Sequence, residues 1–375
     1  KVQVWISEDG VGKKLFELLH LLERGDFLGV EGIVTKTKRG EVSVKASKLE
    51  LLTKALKHLP STWFGLKDTE LRYRQRYVDL AMSPEVRKIF ITRTKINDAI
   101  REFLNERNFL EVETPVIQTI YGGAAAKPFK TFVNDLKSDA YMRISNELYL
   151  KRLLVGGFER VYEFAKDFRN ESIDTTHNPE FTQVELYGAY MDYNDIATLF
   201  EELLKHIAKK VAGKTKITYQ GKEIDFGKPW QRLTMYDALK KYGGIDIKKC
   251  DHKELASLAK KYKLDLPKNA PDGLIINELF EELCESKISE PTLLRDHPKE
   301  TTPLCKKHRK HEHLVERFEP YVANMELGNA YSELNDPIHQ RKLFEEQANM
   351  LKLGNEEAHP LDEDFLNALE YGMPP

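Results

Sequence analysis

Between Phe168 and Phe181 the chain reads FRNESIDTTHNPEF. An arginine, a glutamate, a histidine and a phenylalanine are gathered around a proline-containing loop between two strand-like runs. A guanidinium and an imidazole can neutralise phosphate oxygens, and an aromatic ring can stack on a nucleobase. A triphosphate and its base could use all four. Side chains two apart on a strand share a face, so Phe181, Glu185 and Tyr187 form one set. Arg169 and Glu171 share a face at the end of the preceding strand. If the two strands pair, a cation, a ring and several carboxylates converge on one surface. Such a set is costly to desolvate on a packed sheet face and fits a polar pocket.

The same parity recurs near the C-terminal end. Asn329, Tyr331 and Glu333 share a face, as do Glu319 and Tyr321 on the preceding strand. Glu319 and Glu326, brought together by a turn, offer the oxygen donors a hard cation takes. The alternative for these carboxylates is an exposed polar sheet face. Gly122 and Gly123 in YGGAAAKPF permit close backbone approach to a ligand, although two glycines also suit a plain turn. DGVGKK lacks the four-residue spacer and the Ser/Thr of a phosphate loop. His308, His311 and His313 in KHRKHEH lack partners at metal-ligand spacing and read as a solvated, mobile loop.

The elements that position these residues are legible in outline. The first sixty residues read as short strands around one helix. VQVWI alternates, KKLFELLHLLERG is amphipathic up to Gly25, and KRGE suits a hairpin turn. This order suggests the later part of a small barrel of the oligonucleotide-binding type. A basic connector follows. Ser83 then caps a helix that has Pro84 at its first position and Val86, Ile89, Ile96, Ile100 and Phe103 on one face. In FLEVETPVI, Pro115 cannot donate to a ladder, so this strand belongs at an edge or an interface. Val161 to Phe168 and Phe181 to Tyr190 are the strands around the opening loop. DIATLFEELLKHIAKKVAG is a helix with Ile196, Leu199, Leu203 and Ile207 on one face, ended by Gly213. Residues 214–290 are mixed and mostly helical. RFEPYVANMELGNAYSELNDP reads as two strands around a turn near Asn324, and helices from Ile338 and over DEDFLNALEYG close the chain. The expected fold is α+β, with a mainly antiparallel sheet and flanking helices, preceded by a partial barrel. The expected boundaries are residues 1–60, a linker over 61–80, and a larger domain over 81–375.

Composition sets limits on these readings. At 375 residues and 41% hydrophobic, with 18 Phe and 16 Tyr, the chain can bury a large core. Charged residues are 31% but nearly cancel to a net −2, so overall charge carries no argument for nucleic acid. Lys36, Lys38, Arg39, Lys45, Lys48, Lys54 and Lys57 crowd one stretch, as a solvated face or as a nucleic-acid face. Cys250, Cys284 and Cys305 have no metal spacing, and their odd number argues against a disulfide framework, which fits a reducing, cytoplasmic setting. No apolar run approaches the length needed to span a membrane. Asn170-Glu171-Ser172 is read as a chance sequon.

Taken together, FRNE, HNPEF and ELY resemble motif 2 of class II aminoacyl-tRNA synthetases, in the form carried by lysyl-tRNA synthetases. Aspartyl and asparaginyl relatives share the arginine and the strand-loop-strand but usually not HNPEF. GGAAAKPF, RFEPYVANMELGNAYSELNDP and ALEYGMPP are similar to the lysyl enzymes too. FGLKDTELRYRQRYVDL resembles the connector of this subclass, and FLEVETPVI its dimer-forming motif 1.

The resemblance implies lysine activation by ATP with Mg2+, followed by transfer to tRNA(Lys). It implies that Glu185 and Glu333 recognise the substrate's side-chain ammonium, with Tyr187 and Asn329 beside them and Tyr331 along the stem. It implies Glu147 as the receiver of the α-ammonium and Gly123 at the lysine pocket. Arg169 would bridge the lysine carboxylate and the α-phosphate. Glu171 and Phe181 would hold adenine, His177 the far phosphates, and Glu319 and Glu326 magnesium, with Glu319 also at ATP. Glu41 corresponds to an anticodon-contacting position. A homodimer through the region around Pro115 is implied as well. Motif 3 should follow GMPP and the first barrel strands should precede VQVWI. Their absence from the sequence suggests a chain truncated at both ends and poorly active alone. Two rival readings are a paralogue that aminoacylates a protein, which the first sixty residues disfavour, and a tRNA-binding or signalling module without catalysis.

Overall fold

The computed structural model describes residues 2–57, 59, 68–267, 270–353 and 358–375. The chain divides into two units, Lys1–Thr94 and Lys95–Pro375, and the boundary falls within the helix Pro84–Asn105. Residues 61–67 of the expected linker lie outside the described residues.

In the first unit, Gln3–Trp5 pairs in parallel with Val42–Thr53, which pairs antiparallel with Phe27–Lys36. The expected hairpin turn is present: the Thr37 amide donates to the Glu41 carbonyl and Gly40 takes a positive φ of 85°. The single helix expected over KKLFELLHLLERG is instead Lys13–Glu17 followed by a 3-10 turn Leu18–Leu21, with no buried residue. A pattern of apolar residues does not by itself hold a helix that buries no face. Two of the clustered lysines are paired, Lys48 with Glu31 at 2.8 Å and Lys54 with Asp26 at 3.0 Å. Ser83 does not cap the following helix with its hydroxyl. That group donates to Asp79, a fully buried carboxylate that also holds Arg72 and Arg76. Uncompensated burial of that charge costs more than an unmade cap.

The second unit carries the larger core. Ile100 and Phe103 of the helix Pro84–Asn105 pack with Tyr162, Leu199 and Leu203, as the expected faces require, whereas Ile89 is exposed. The strand expected over FLEVETPVI is two short pieces. Leu110–Glu111 pairs in parallel with the first strand around the opening loop, and Ile117–Gln118 pairs with Ser138–Met142. Pro115 falls in the gap between them, where no amide is needed. The strands Arg160–Phe168 and Glu180–Gly188 pair antiparallel over their whole length. The helix Tyr193–Ala212 begins with a capping box between Asp192 and Asp195 and ends at Gly213 in the left-handed conformation.

A second sheet has the order Gln231–Thr234, Thr292–Pro298, Leu314–Val322, Met325–Glu326, and Ala330–Tyr331 also pairs with Leu314–Val322. Its only parallel pair is the first, Gln231–Thr234 with Thr292–Pro298. The turn near Asn324 is a tight hairpin, with Ala323 and Asn324 both at positive φ. The segment that the sequence left vague supplies a separate apolar cluster. The helices His252–Tyr262 and Asp272–Leu283 pack there on Leu294 and Tyr321. The fold is α+β, as expected, with antiparallel pairing dominant and helices flanking the sheets.

Candidate active site

Antiparallel register places Glu163 opposite Glu185, Asp167 opposite Phe181 and Val161 opposite Tyr187. Residues directly opposite share a face. One face of the strand pair therefore carries Glu163, Asp167, Phe181, Gln183, Glu185 and Tyr187. Strand parity had selected three of these.

The floor of this face is a buried ionic network. Arg143, on the segment after Ser138–Met142, reaches Glu163 at 2.8 Å and Asp167 at 3.0 Å, and all three side chains are almost fully buried. Asn146 and Thr114 complete the hydrogen bonds of Glu163. Burial, partly offset by Arg143 and Arg169, raises the Asp167 carboxyl to about 6. Gln183 bridges the layers, donating to Asp167 at 2.5 Å and to Glu185 at 2.7 Å. Glu185 also accepts from Ser145 at 3.2 Å and Tyr187 at 3.3 Å. Its carboxyl is pushed up to about 8 by burial and by the negative charges of Glu147 and Asp167.

Arg169 begins the loop. Its Nε donates to the Ile144 carbonyl at 3.3 Å and its guanidinium lies 5.1 Å from the centre of the Phe181 ring. The GGAAAKPF segment closes on the same place. The Asn170 amide donates to the Lys127 carbonyl, and the Lys127 amide donates to Glu171 at 3.4 Å. His177 is held on the exposed loop by Asp174, whose carboxylate accepts from the Thr176 and His177 amides and pairs with the imidazole at 2.7 Å. Those bonds hold the Asp174 carboxyl well below the usual range.

Glu147 stands at the first turn of the helix Glu147–Val155, where the helix dipole favours a carboxylate. Tyr331 donates to it at 2.6 Å and Lys151 at 2.5 Å. Lys151 also pairs with Glu333. Burial raises the Glu333 carboxyl to about 8 although Lys151 opposes the shift. Gly123 faces this corner at a φ of +91°, and a Cβ there would stand 2.9 Å from Ser145 Oγ and 3.1 Å from Glu147 Cβ. No side chain fits between that turn and the pocket wall.

On the second sheet, Arg317 donates to Glu319 at 2.6 Å and to Asn329 at 3.0 Å. Tyr321 opposes Glu326 across the ladder, which puts Glu319 and Glu326 on one face. Partial desolvation and the charge of Glu319 raise the Glu326 carboxyl above its usual value, although the residue itself is exposed. An open cavity of about 600 Å³ lined by Glu278, Glu281, Glu285 and Asn324 includes none of the expected site residues.

The second unit thus brings together Gly123, Glu147, Arg169, Glu185, Tyr187, Tyr331 and Glu333, and groups Asn329 with Glu319. Glu171 and Phe181 flank Arg169, His177 is on the open loop, and Glu41 belongs to the first unit. Sequence reasoning missed Arg143, Ser145, Lys151, Glu163, Asp167, Gln183 and Arg317. Simple signals pointed to four of them. Glu163 and Asp167 have the parity of Arg169, Arg317 that of Glu319, and Lys151 lies one helical turn after Glu147.

Residues 68–375 match the family of class II tRNA synthetases (D, K and N). The whole chain aligns with the lysine–tRNA ligase of Clostridium perfringens at 52% identity, over 76% of that protein. It aligns with those of Thermoanaerobacter pseudethanolicus and Clostridium acetobutylicum at 50% identity, over 75% and 74% of their lengths. The pocket of acids beside a strand-end arginine and the likeness along the entire chain lead to one conclusion: this chain belongs to the lysine–tRNA ligases of the class II tRNA synthetase family.

Proposed function

We propose that the chain activates L-lysine with ATP and transfers it to tRNA(Lys), using the face built by the strands Arg160–Phe168 and Glu180–Gly188. The observation that carries this reading is the clustering of Glu147, Glu185 and Glu333, three carboxylates of a buried pocket, beside Arg169.

Glu185 and Glu333 receive the ε-ammonium, with Tyr187 and Asn329 beside them and Tyr331 along the stem. Glu147 receives the α-ammonium, and Gly123 leaves room for the substrate. Arg169 spans the lysine carboxylate and the α-phosphate. Phe181 stacks on adenine, Glu171 contacts its edge, and His177 meets the outer phosphates. A lysine carboxylate oxygen attacks the α-phosphorus, the bond to the β-phosphate oxygen breaks, and pyrophosphate leaves. The terminal ribose hydroxyl of tRNA then attacks the activated carbonyl and AMP departs. No side chain forms a covalent intermediate. Positioning, and charge on Arg169 aimed at the growing negative charge, supply the rate. A neutral isostere of lysine would leave buried carboxylates without their cation, which is the source of selectivity.

Glu319 and Glu326 suit Mg2+. They are two adjacent carboxylates, and the charge of one disfavours ionisation of the other until a cation neutralises both. Two carboxylates with substrate phosphates are a usual magnesium donor set, and Glu319 would thereby also meet ATP. The ion would neutralise phosphate charge in the nucleotide. Residues 1–60 are read as an anticodon-binding barrel portion with Glu41 at its hairpin turn, and residues 81–375 as the catalytic domain. Val116, Ile117 and Ile120 are exposed around Pro115, which supports a homodimer there. The three free cysteines fit a cytoplasmic protein. Among the described residues no helix is long and apolar enough to cross a membrane.

The test is ATP–pyrophosphate exchange by the full-length protein, with lysine, norleucine, aspartate and asparagine compared. Exchange stimulated by lysine alone is expected. Arg169→Ala should lower kcat/KM by about a thousandfold without changing the oligomeric state. Exchange driven by another amino acid, or an Arg169→Ala protein with normal turnover, would refute the reading.

A further inference from the structure

Lys151 has no role in the chemistry above, yet its side chain is completely buried at the pocket wall. Removing an ammonium from water costs several kilocalories per mole unless partners compensate it. Its partners come from two separate elements. Glu147 belongs to the same helix one turn earlier, at 2.5 Å, and Glu333 follows the strand Ala330–Tyr331. The ring of Tyr331, centred 5.5 Å from the ammonium, also faces it, and its hydroxyl holds the other oxygen of Glu147. Glu185 and Tyr187 also face Glu147. Among the described residues the ammonium's remaining titratable neighbours are Cys305, whose thiol burial holds far above its usual value, and His359, held neutral by burial and by Lys151 itself, at about 4. Neither supplies charge. The deeper network is balanced separately, Glu163 and Asp167 against Arg143 and Arg169.

We infer that Lys151 is a positioning residue for the amino acid. Its fixed ammonium ties Glu147 and Glu333 together and offsets one of the three pocket carboxylates, so that once the arriving ammonium groups have drawn off the carboxyl protons the pocket offers two net negative charges to a substrate with two ammonium groups. The inference rests on the lysine-activating reading. Without Lys151, Glu147 and Glu333 repel across a buried gap, and the Glu333 carboxyl, raised to about 8 even beside Lys151, holds its proton more firmly still. An incoming ammonium must then displace a more firmly held proton before it can pair. The loss must therefore shrink as rising pH removes that proton.

The experiment is exchange kinetics of the full-length protein and of Lys151→Met between pH 6.5 and 9. The KM for lysine should rise about a hundredfold at pH 7, by far less at pH 9, with the KM for ATP within about threefold of the parent. Lys151→Arg, which keeps the charge, should recover most of the affinity. A lysine KM that is unchanged, that rises equally at every pH, or that rises together with the ATP KM would overturn the inference. Lys151→Gln carries the same readout if the methionine variant does not fold. If both neutral variants unfold while Lys151→Arg is active, the cation serves the fold and the inference fails. A parent protein without lysine-dependent exchange would instead defeat the underlying reading, so the two failures are distinguishable.

Discussion

In the proposed reading, burial would make Glu185 a sensor of the substrate's charge. Held near 8 by desolvation and by Glu147 and Asp167, it is mostly protonated at pH 7 in the empty pocket. An arriving ammonium favours the ionised form and expels that proton. With Glu333 also held near 8, lysine binding should therefore release between about one and two protons per site at pH 7 and fewer as the pH passes 8, read by calorimetry in buffers of different ionisation heat. The same shift has a sign for stability. The folded form binds more protons than the unfolded chain between the ordinary value of 4.5 and about 8, so the lysine-free protein loses stability as pH rises across that window. Added lysine should offset the loss in a thermal-shift titration. Lysine binding with no proton release at pH 7 would mean that Glu185 and Glu333 are already ionised.

At the scale of elements, the paired strands Arg160–Phe168 and Glu180–Gly188 are held in place from below. Arg143 reaches both Glu163 and Asp167 and donates to the Lys166 and Thr114 carbonyls, so one guanidinium ties three segments of chain together. Arg143→Met would leave two buried carboxylates with one fewer cation. It should destabilise the protein by about 3–5 kcal/mol in denaturant unfolding. Arg169 should also lose its aim, because the carbonyl it uses belongs to Ile144, the next residue after Arg143. A change below about 1 kcal/mol would show that water or main-chain donors replace the guanidinium. The helix Glu147–Val155 has an equivalent part, since its one-turn spacing puts Glu147 and Lys151 against the same wall.

At the scale of the molecule, the two units are built to different standards. The second has four clusters of buried side chains with Phe103, Phe280, Phe318 and Phe365 almost wholly enclosed. In the first, the longest strand pair buries only Ser43 and Ala46, while Phe27, Ile33 and Val34 are more than half exposed. Little apolar burial means low local opening free energy. Amides of Phe27–Lys36 and Val42–Thr53 in the 375-residue chain should therefore exchange at least about tenfold faster than those of Arg160–Phe168. Equal protection in hydrogen-exchange mass spectrometry would show that the first unit is as tightly closed as the second. Apolar faces left open on a strand pair also suit association with a further surface.

Strand parity alone grouped Phe181 with Glu185 and Tyr187, Arg169 with Glu171, and Tyr331 with Asn329 and Glu333, because a period of two is written directly in the order of residues, whereas the motif resemblance joined these sets into one expected site. The long amphipathic helix Tyr193–Ala212, with its cap and its glycine stop, was equally legible. Tertiary structure alone decided what compensates the acids. Lys151 meets Glu333 from another part of the chain, Arg143 meets Glu163 and Asp167, and Ser83 turns from its helix to Asp79. A buried charge takes whichever partner the packing brings within about 3 Å, and sequence separation does not enter that energy.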